Sequence, residues 1–164
     1  FLFCCYAGMR YSDFTNLSKK NIVDINQETW LIYKSVKTGT EVRLPLYLLF
    51  AGKGIVILNK YRNNLEDFFR LRDNSNINKN LIIIAKLAGL SKKISFHTAR
   101  HTNATLLIYN GVNITTVQKL LGHKSVKTTQ VYTNIMDMTI VHDLEKIKQA
   151  ALGIKKKTDN SFNK

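Results

Sequence analysis

The sequence predicts an α+β domain that is mainly α-helical, with helices packed around a small three-stranded antiparallel β-sheet. Three observations lead there. Strand character is confined to residues 21–46, in three short runs separated by turn residues. Most of the chain beyond residue 47 has a helical period, punctuated by Gly89, Gly111 and Gly122. With 164 residues, 45% of them hydrophobic, the chain is one domain by length and can bury a sizeable core.

In order, residues 1–9 read as the end of a buried helix closed by Gly8, with Arg10 directly after. Tyr11-Ser12-Asp13 restarts a short helix, with Ser12 as cap and Phe14 and Leu17 turned inward. Strands come next, at 21–25, 30–35 and 41–46, with turns at 26–28 and 37–40 and the only proline, Pro45, at the end of the last run. From 47 to 71 the pattern is helical, and Phe50, Ile57, Leu58, Tyr61, Leu65 and Phe68 share a stripe. Residues 72–80 are an Asn-rich loop or helix start, and 80–88 form a helix closed by Gly89. Further helices are expected at 96–110, at 114–121 with Asn113 as cap, from Ser125 to Tyr132, and at 136–152. Residues 1–153 make the domain, and 154–164 a basic, disordered tail.

Charge narrows the partner. Lys and Arg number 25 against 11 acids, a formal +14 and a pI near 9.9, which fits a polyanion, most often nucleic acid. Cys4 and Cys5 are adjacent, so they suit neither a disulfide nor a zinc site and read as reduced and intracellular. The opening FLFCCYAGMR is apolar but too short to span a bilayer and has no basic leader, so it reads as a helix end with more chain expected before it.

The chemistry-bearing residues concentrate in 97–132. His97, Arg100 and His101 are three and four apart at a helix start, where backbone N–H groups and a guanidinium together suit a phosphate. His123 comes directly after Gly122, and Tyr132 comes nine residues later at the end of the next helix. Each is weak alone, as are Arg10 between two helices and Lys37 in a hairpin turn. Together they offer two guanidiniums, imidazoles, an ammonium and a phenol, with no cluster of acids to hold a metal. Such a set can cleave a phosphodiester without Mg²⁺. Fixed arginines stabilise charge on the non-bridging oxygens, a lysine protonates the departing 5′ oxygen, and the phenol attacks after losing its proton with help from the positive pocket and a neutral imidazole. Two readings compete. His97-x-x-x-His101 with His123 could be a metal site of a phosphodiesterase, and the whole could be a basic DNA-binding module without catalysis.

At the blocks AGMRYSDFTNL, KTGTEVRLPL and HTARHTNATLLIYNGVNITTVQKLLGHKSVKTTQVYTNI the chain resembles the tyrosine recombinase (phage-integrase) family, over nearly its whole length. The resemblance implies that family's catalytic-domain fold and site. Arg10 is similar to the first catalytic arginine and Lys37 to the hairpin lysine, with Lys34 the competing choice. His97 and Arg100 match H-x-x-R, His123 the L-G-H histidine, and Tyr132 the nucleophile. Asp13 and His101 match residues expected to orient the others. Thr98-Ala99 departs from the acid usual between that histidine and arginine.

The resemblance further implies metal-independent cleavage of DNA through a 3′-phosphotyrosine, with no cofactor. It also implies double-stranded DNA as partner, in a homotetramer that exchanges the C-terminal helix between protomers, with docking of that helix on its own core as the open alternative and a monomer as a possible state without DNA. It implies a bacterial, cytoplasmic, nucleoid-associated protein and a DNA-binding domain ahead of this one. The wording of the blocks is most similar to integrases of Bacteroides-type conjugative transposons and mobile elements, with an Xer-like resolvase as the alternative.

Overall fold

The computed structural model describes residues 1–71, 73–133, 144–145 and 147–149. Its helices are α1 (Leu2–Ala7), α2 (Tyr11–Thr15), α3 (Lys53–Lys60), α4 (Leu65–Phe69), α5 (Asn74–Leu87), α6 (Phe96–Tyr109), α7 (Ile114–Leu121) and α8 (Lys127–Gln130). Strands β1 (Ile22–Ile25), β2 (Glu28–Lys34) and β3 (Glu41–Pro45) lie between α2 and α3. The α+β class with one small antiparallel sheet is what the sequence predicts.

The sheet has the order β1-β2-β3, each pair antiparallel. Leu31 and Tyr33 sit opposite Leu44 and Val42, and all four are buried. Lys34, Glu41 and Arg43 are exposed, so one face packs on the core and part of the other meets water. The β1–β2 turn holds Asn26 and Gln27 at φ 53 and 67. Two positive φ values in a two-residue hairpin loop match the strand twist.

Helices α1 and α6 pack together at the centre. Asn103 of α6 donates its Nδ2–H groups to the carbonyls of Cys5 and Tyr6, at 3.1 and 2.9 Å. The chain turns immediately after, at Gly8 (φ 66), where a Cβ would lie 2.6 Å from Asn103 Oδ1. Phe3, Phe14, Phe69 and Phe96 complete the buried centre, each burial contributing roughly 1.5–3 kcal/mol.

Four local expectations shift. The helical run at 47–71 is broken into a 3-10 turn at Leu49–Gly52, then α3 and α4. Phe50 and Ala51 are left-handed there, at φ 50 and 53. Tyr61 leaves the proposed stripe at 46% exposure and stacks on Phe68 instead. Helix α5 starts at Asn74, not residue 80, because the Asp73 carboxylate accepts from the Asn76 N–H at 3.0 Å. Ser12 is not a cap, since α2 begins at Tyr11 behind Arg10. The expected helix at 136–152 lies mostly outside the described residues; within it Leu144, Glu145, Ile147, Lys148 and Gln149 are helical.

Candidate active site

Helix α6 starts with a reciprocal cap. The Ser95 N–H donates to Thr98 Oγ1 at 3.0 Å, and the Ser95 side chain caps the Thr98 backbone. That start sets the phase of the next turn. His97 and His101 emerge exposed, with ring centroids 4.6 Å apart. Arg100 turns inward and is 1% exposed. Its Nη1 donates to the Gly8 carbonyl at 2.7 Å and its Nη2 to the Leu121 carbonyl at 2.6 Å. Gly8 closes α1 and Leu121 ends α7, so the guanidinium bridges two helix C-termini, where carbonyls lack helical partners and the dipole favours a cation. Burial pushes its pKa down to about 10, which leaves it charged at neutral pH. Among the described residues no carboxylate pairs with it directly. Among the described residues its hydrogen bonds go to carbonyls alone, which leaves the buried charge without a hydrogen-bonded counter-ion.

Arg10 reaches the same region from the other end of the chain. Its Nη1 donates to Ser35 Oγ at 3.1 Å and to Asp13 at 3.4 Å. Asp13 is 2% exposed. It accepts from the Val36 N–H at 2.8 Å and from the Ser35 hydroxyl at 3.3 Å. The acid therefore ties Arg10 and the root of the β2–β3 hairpin together.

That hairpin carries Lys37. The Ser35 N–H donates to the Thr40 carbonyl and the Gly39 N–H to the Ser35 carbonyl, both at 2.8 Å. The Thr38 hydroxyl then crosses to the Gly122 carbonyl at 3.0 Å. Lys37 is exposed. It lines a cavity of about 440 Å³ with Arg10, Tyr11, Ser12, Asn74, Phe96 and His97. Lys34 does not line it and sits opposite Glu41 at the end of β2.

His123 is placed by the closure of α7. Gly122 is left-handed (φ 62) and the His123 N–H returns to the Gln118 carbonyl at 3.0 Å, satisfying a carbonyl of the last turn. A Cβ on Gly122 would meet Val42 Cγ2 at 2.6 Å, so helix end and hairpin touch. His123 is 7% exposed and its Nδ1 lies 2.9 Å from Thr129 Oγ1. Burial first, then Arg100, Arg10, His97 and Lys37, push its pKa down to about 4. Partial burial and then His101, Arg100, Arg10 and Lys37 lower that of His97.

Tyr132 lies just past α8, 5% exposed, its ring 5.5 Å from that of His101. Burial raises its phenol pKa, while Arg100 and Arg10 act to lower it. The predicted residues thus fall within one electrostatic neighbourhood. Arg10 and Asp13 are hydrogen-bonded and Arg10, Lys37 and His97 share a cavity, while the buried His123 and Tyr132 both feel the charges of Arg100 and Arg10. Among the described residues no group of three or more His, Cys, Asp or Glu is placed to hold a metal ion. Sequence reasoning passed over Ser35, Thr38 and Thr129, whose hydroxyls tie the site together, and the two carbonyls that hold Arg100. The paired threonines of KTTQ, on the turn before Tyr132, were the available signal for Thr129.

The phage integrase family model matches residues 1–138. The tyrosine recombinase XerC of Rickettsia prowazekii (strain Madrid E) is 30% identical over 159 residues, covering 92% of this chain and 49% of the relative. The crystal structure of XerA recombinase superposes with a TM-score of 0.69 at 29% identity, covering 88% of this chain and 55% of that one. The Tn1549 transposon integrase in complex with transposon right end DNA gives 0.61 at 16% identity, over 93% and 57%, a likeness of fold. The chain thus spans about half the length of the XerC relative.

Proposed function

Because this chain belongs to the phage integrase family, we propose that it is the catalytic domain of a site-specific DNA recombinase that cleaves and rejoins strands through a 3′-phosphotyrosine, without metal or cofactor. Residues 1–153 form that domain, and 154–164 are its basic tail. The observation that carries this reading is a buried phenol, Tyr132, in the field of two arginines that are themselves fixed by hydrogen bonds.

Arg10 and Arg100 bind the non-bridging oxygens of the scissile phosphate and stabilise the charge that builds there. His97 and His123 complete that shell. The Tyr132 oxygen attacks phosphorus as its proton passes to water, the bond from phosphorus to the 5′ oxygen breaks, and Lys37 gives that oxygen its proton. The reverse sequence, with a 5′-hydroxyl from another strand, rejoins the DNA. Asp13 orients Arg10, and His101 braces Tyr132.

The DNA partner is supported by the +14 charge. A homotetramer on DNA that exchanges C-terminal helices fits Leu144 and Ile147, helical and 60% and 65% exposed. The cellular setting is the bacterial nucleoid; among the described residues no helix is long and apolar enough to cross a membrane. The role is integration or excision of a mobile element of the Bacteroides type, which fits the Asn-, Lys- and Ile-rich composition of an AT-rich genome. An Xer-like resolvase is the second reading, favoured by the name of the XerC relative.

The test is a suicide DNA substrate incubated with the protein in EDTA. The expected result is a covalent protein–DNA adduct with the unaltered chain and none with Tyr132→Phe, binding being retained. Adduct formation by Tyr132→Phe overturns the nucleophile, and adduct formation only with added metal overturns the mechanism.

A further inference from the structure

We infer that Thr129 is a positioning residue that holds His123 as its Nε2–H tautomer, so that this ring donates a hydrogen bond to a phosphate oxygen and does not serve as the base for Tyr132. The inference rests on the proposed recombinase chemistry only for the identity of the phosphate.

The Thr129 hydroxyl decides the tautomer. Thr129 is 0% exposed. Among the described residues, its Oγ1 has one partner, His123 Nδ1, at 2.9 Å. A hydroxyl carries one hydrogen to donate and lone pairs that accept. If Nδ1–H donated to it, the hydroxyl hydrogen would be buried with no acceptor. An unmet buried donor is the costlier failure, since an oxygen with a lone pair left over is common. The hydroxyl therefore donates to Nδ1, and Nδ1 carries the lone pair.

The ring is neutral at neutral pH, because burial and the neighbouring cations press its pKa down to about 4. A neutral imidazole has one N–H. With Nδ1 occupied as an acceptor, that hydrogen is on Nε2. Nε2 has no hydrogen-bond partner among the described residues and is not sealed from solvent. It is the nitrogen left for a ligand. An N–H there can meet an anionic oxygen and cannot take a proton from a phenol. The backbone is fixed as well, since Gln118 Nε2 donates to the His123 carbonyl at 3.0 Å and the His123 N–H returns to Gln118. Thr129 lies three residues before Tyr132, so one turn sets both the tautomer and the nucleophile's entry.

The experiment reads the two ring nitrogens of His123 by long-range ¹H–¹⁵N correlation in the labelled chain at neutral pH without DNA. The same samples are then assayed for cleavage of the suicide substrate. The native chain should show a pyrrole-type Nε2 and a pyridine-type Nδ1. Thr129→Val should move the ring to mixed or reversed tautomers and slow cleavage at least about tenfold, the scale of losing a preorganised donor. Thr129→Ser should restore both. A pyrrole-type Nδ1 in the native chain overturns the inference, and that reading stands even if Thr129→Val does not fold. An unchanged tautomer in a folded Thr129→Val also overturns it. The predicted tautomer in a chain that forms no adduct would leave the inference standing and count against the recombinase reading.

Discussion

Arg100, His123 and Tyr132 are buried, at 1, 7 and 5% exposure, and Arg100 and His123 are tied by hydrogen bonds of 2.6–2.9 Å. Lys37, His97 and His101, which the proposed function places in the same site, are exposed. The buried set is positioned before any ligand arrives, which lowers the reorganisation a phosphate would demand. Of the exposed set, Lys37 and His97 line the cavity, with side-chain freedom left. Under the proposed function, a lysine that follows a departing oxygen gains from that freedom, whereas an arginine that holds charge does not. On that reading the buried side combines structural and chemical duties, and the exposed side has chemical duties alone.

Substitutions can break that assignment, and the largest effect belongs to Arg100. Arg100→Met should lower cleavage roughly 10³-fold or more, because it removes several donors at once. It should also destabilise the fold by about 2–4 kcal/mol, since the Gly8 and Leu121 carbonyls lose their buried partner. Cleavage assays and urea midpoints measure the two. An unshifted midpoint would mean that the guanidinium is no structural tie. Lys37→Ala should lower cleavage about 10²-fold, with stability changed by less than about 0.5 kcal/mol. A substrate with sulfur in place of the departing 5′ oxygen leaves without a proton and should recover most of that rate. Failure to recover would remove Lys37 from the role of acid.

A further effect is a pH signature of the buried side. Unfolded His123 takes a proton near its ordinary pKa of 6.5, folded His123 only near 4. Between those values the unfolded state holds more protons, so stability is full above about pH 6.5 and declines as pH falls toward 4. The decline is at most roughly 3 kcal/mol for this group, and His97 acts in the same direction. Urea midpoints of the native chain and of His123→Gln across that range should converge on acidification. Parallel curves would mean that the ring titrates normally.

Legibility in the sequence obeys the same division. The block from α6 to Tyr132 could be read because its signals are local: Gly111 and Gly122 after α6 and α7, Asn113 ahead of α7, and side chains at helical spacing. The sheet was legible from alternation and turn residues. The stretch at 47–71 was not, because an unbroken apolar stripe conceals a reversal made by Phe50 and Ala51, neither of which announces a left-handed backbone. The supports of the site were hidden for a different reason. Arg100 is held by carbonyls, which every residue has, and one belongs to Gly8, 92 positions away. Ser35 is an ordinary strand-end serine until Asp13, 22 positions earlier, is placed beside it.

The link from the Thr38 hydroxyl to the Gly122 carbonyl spans 84 positions, and the Arg100 link to Gly8 spans 92. On the ribosome these partners emerge far apart in time. Arg10, Asp13 and the hairpin can associate early, but the guanidinium that completes the pocket waits for α6, and its second carbonyl waits for α7. Tyr132 comes later still. Under the proposed function, the order of synthesis therefore delays the reactive state until the fold around Tyr132 can close.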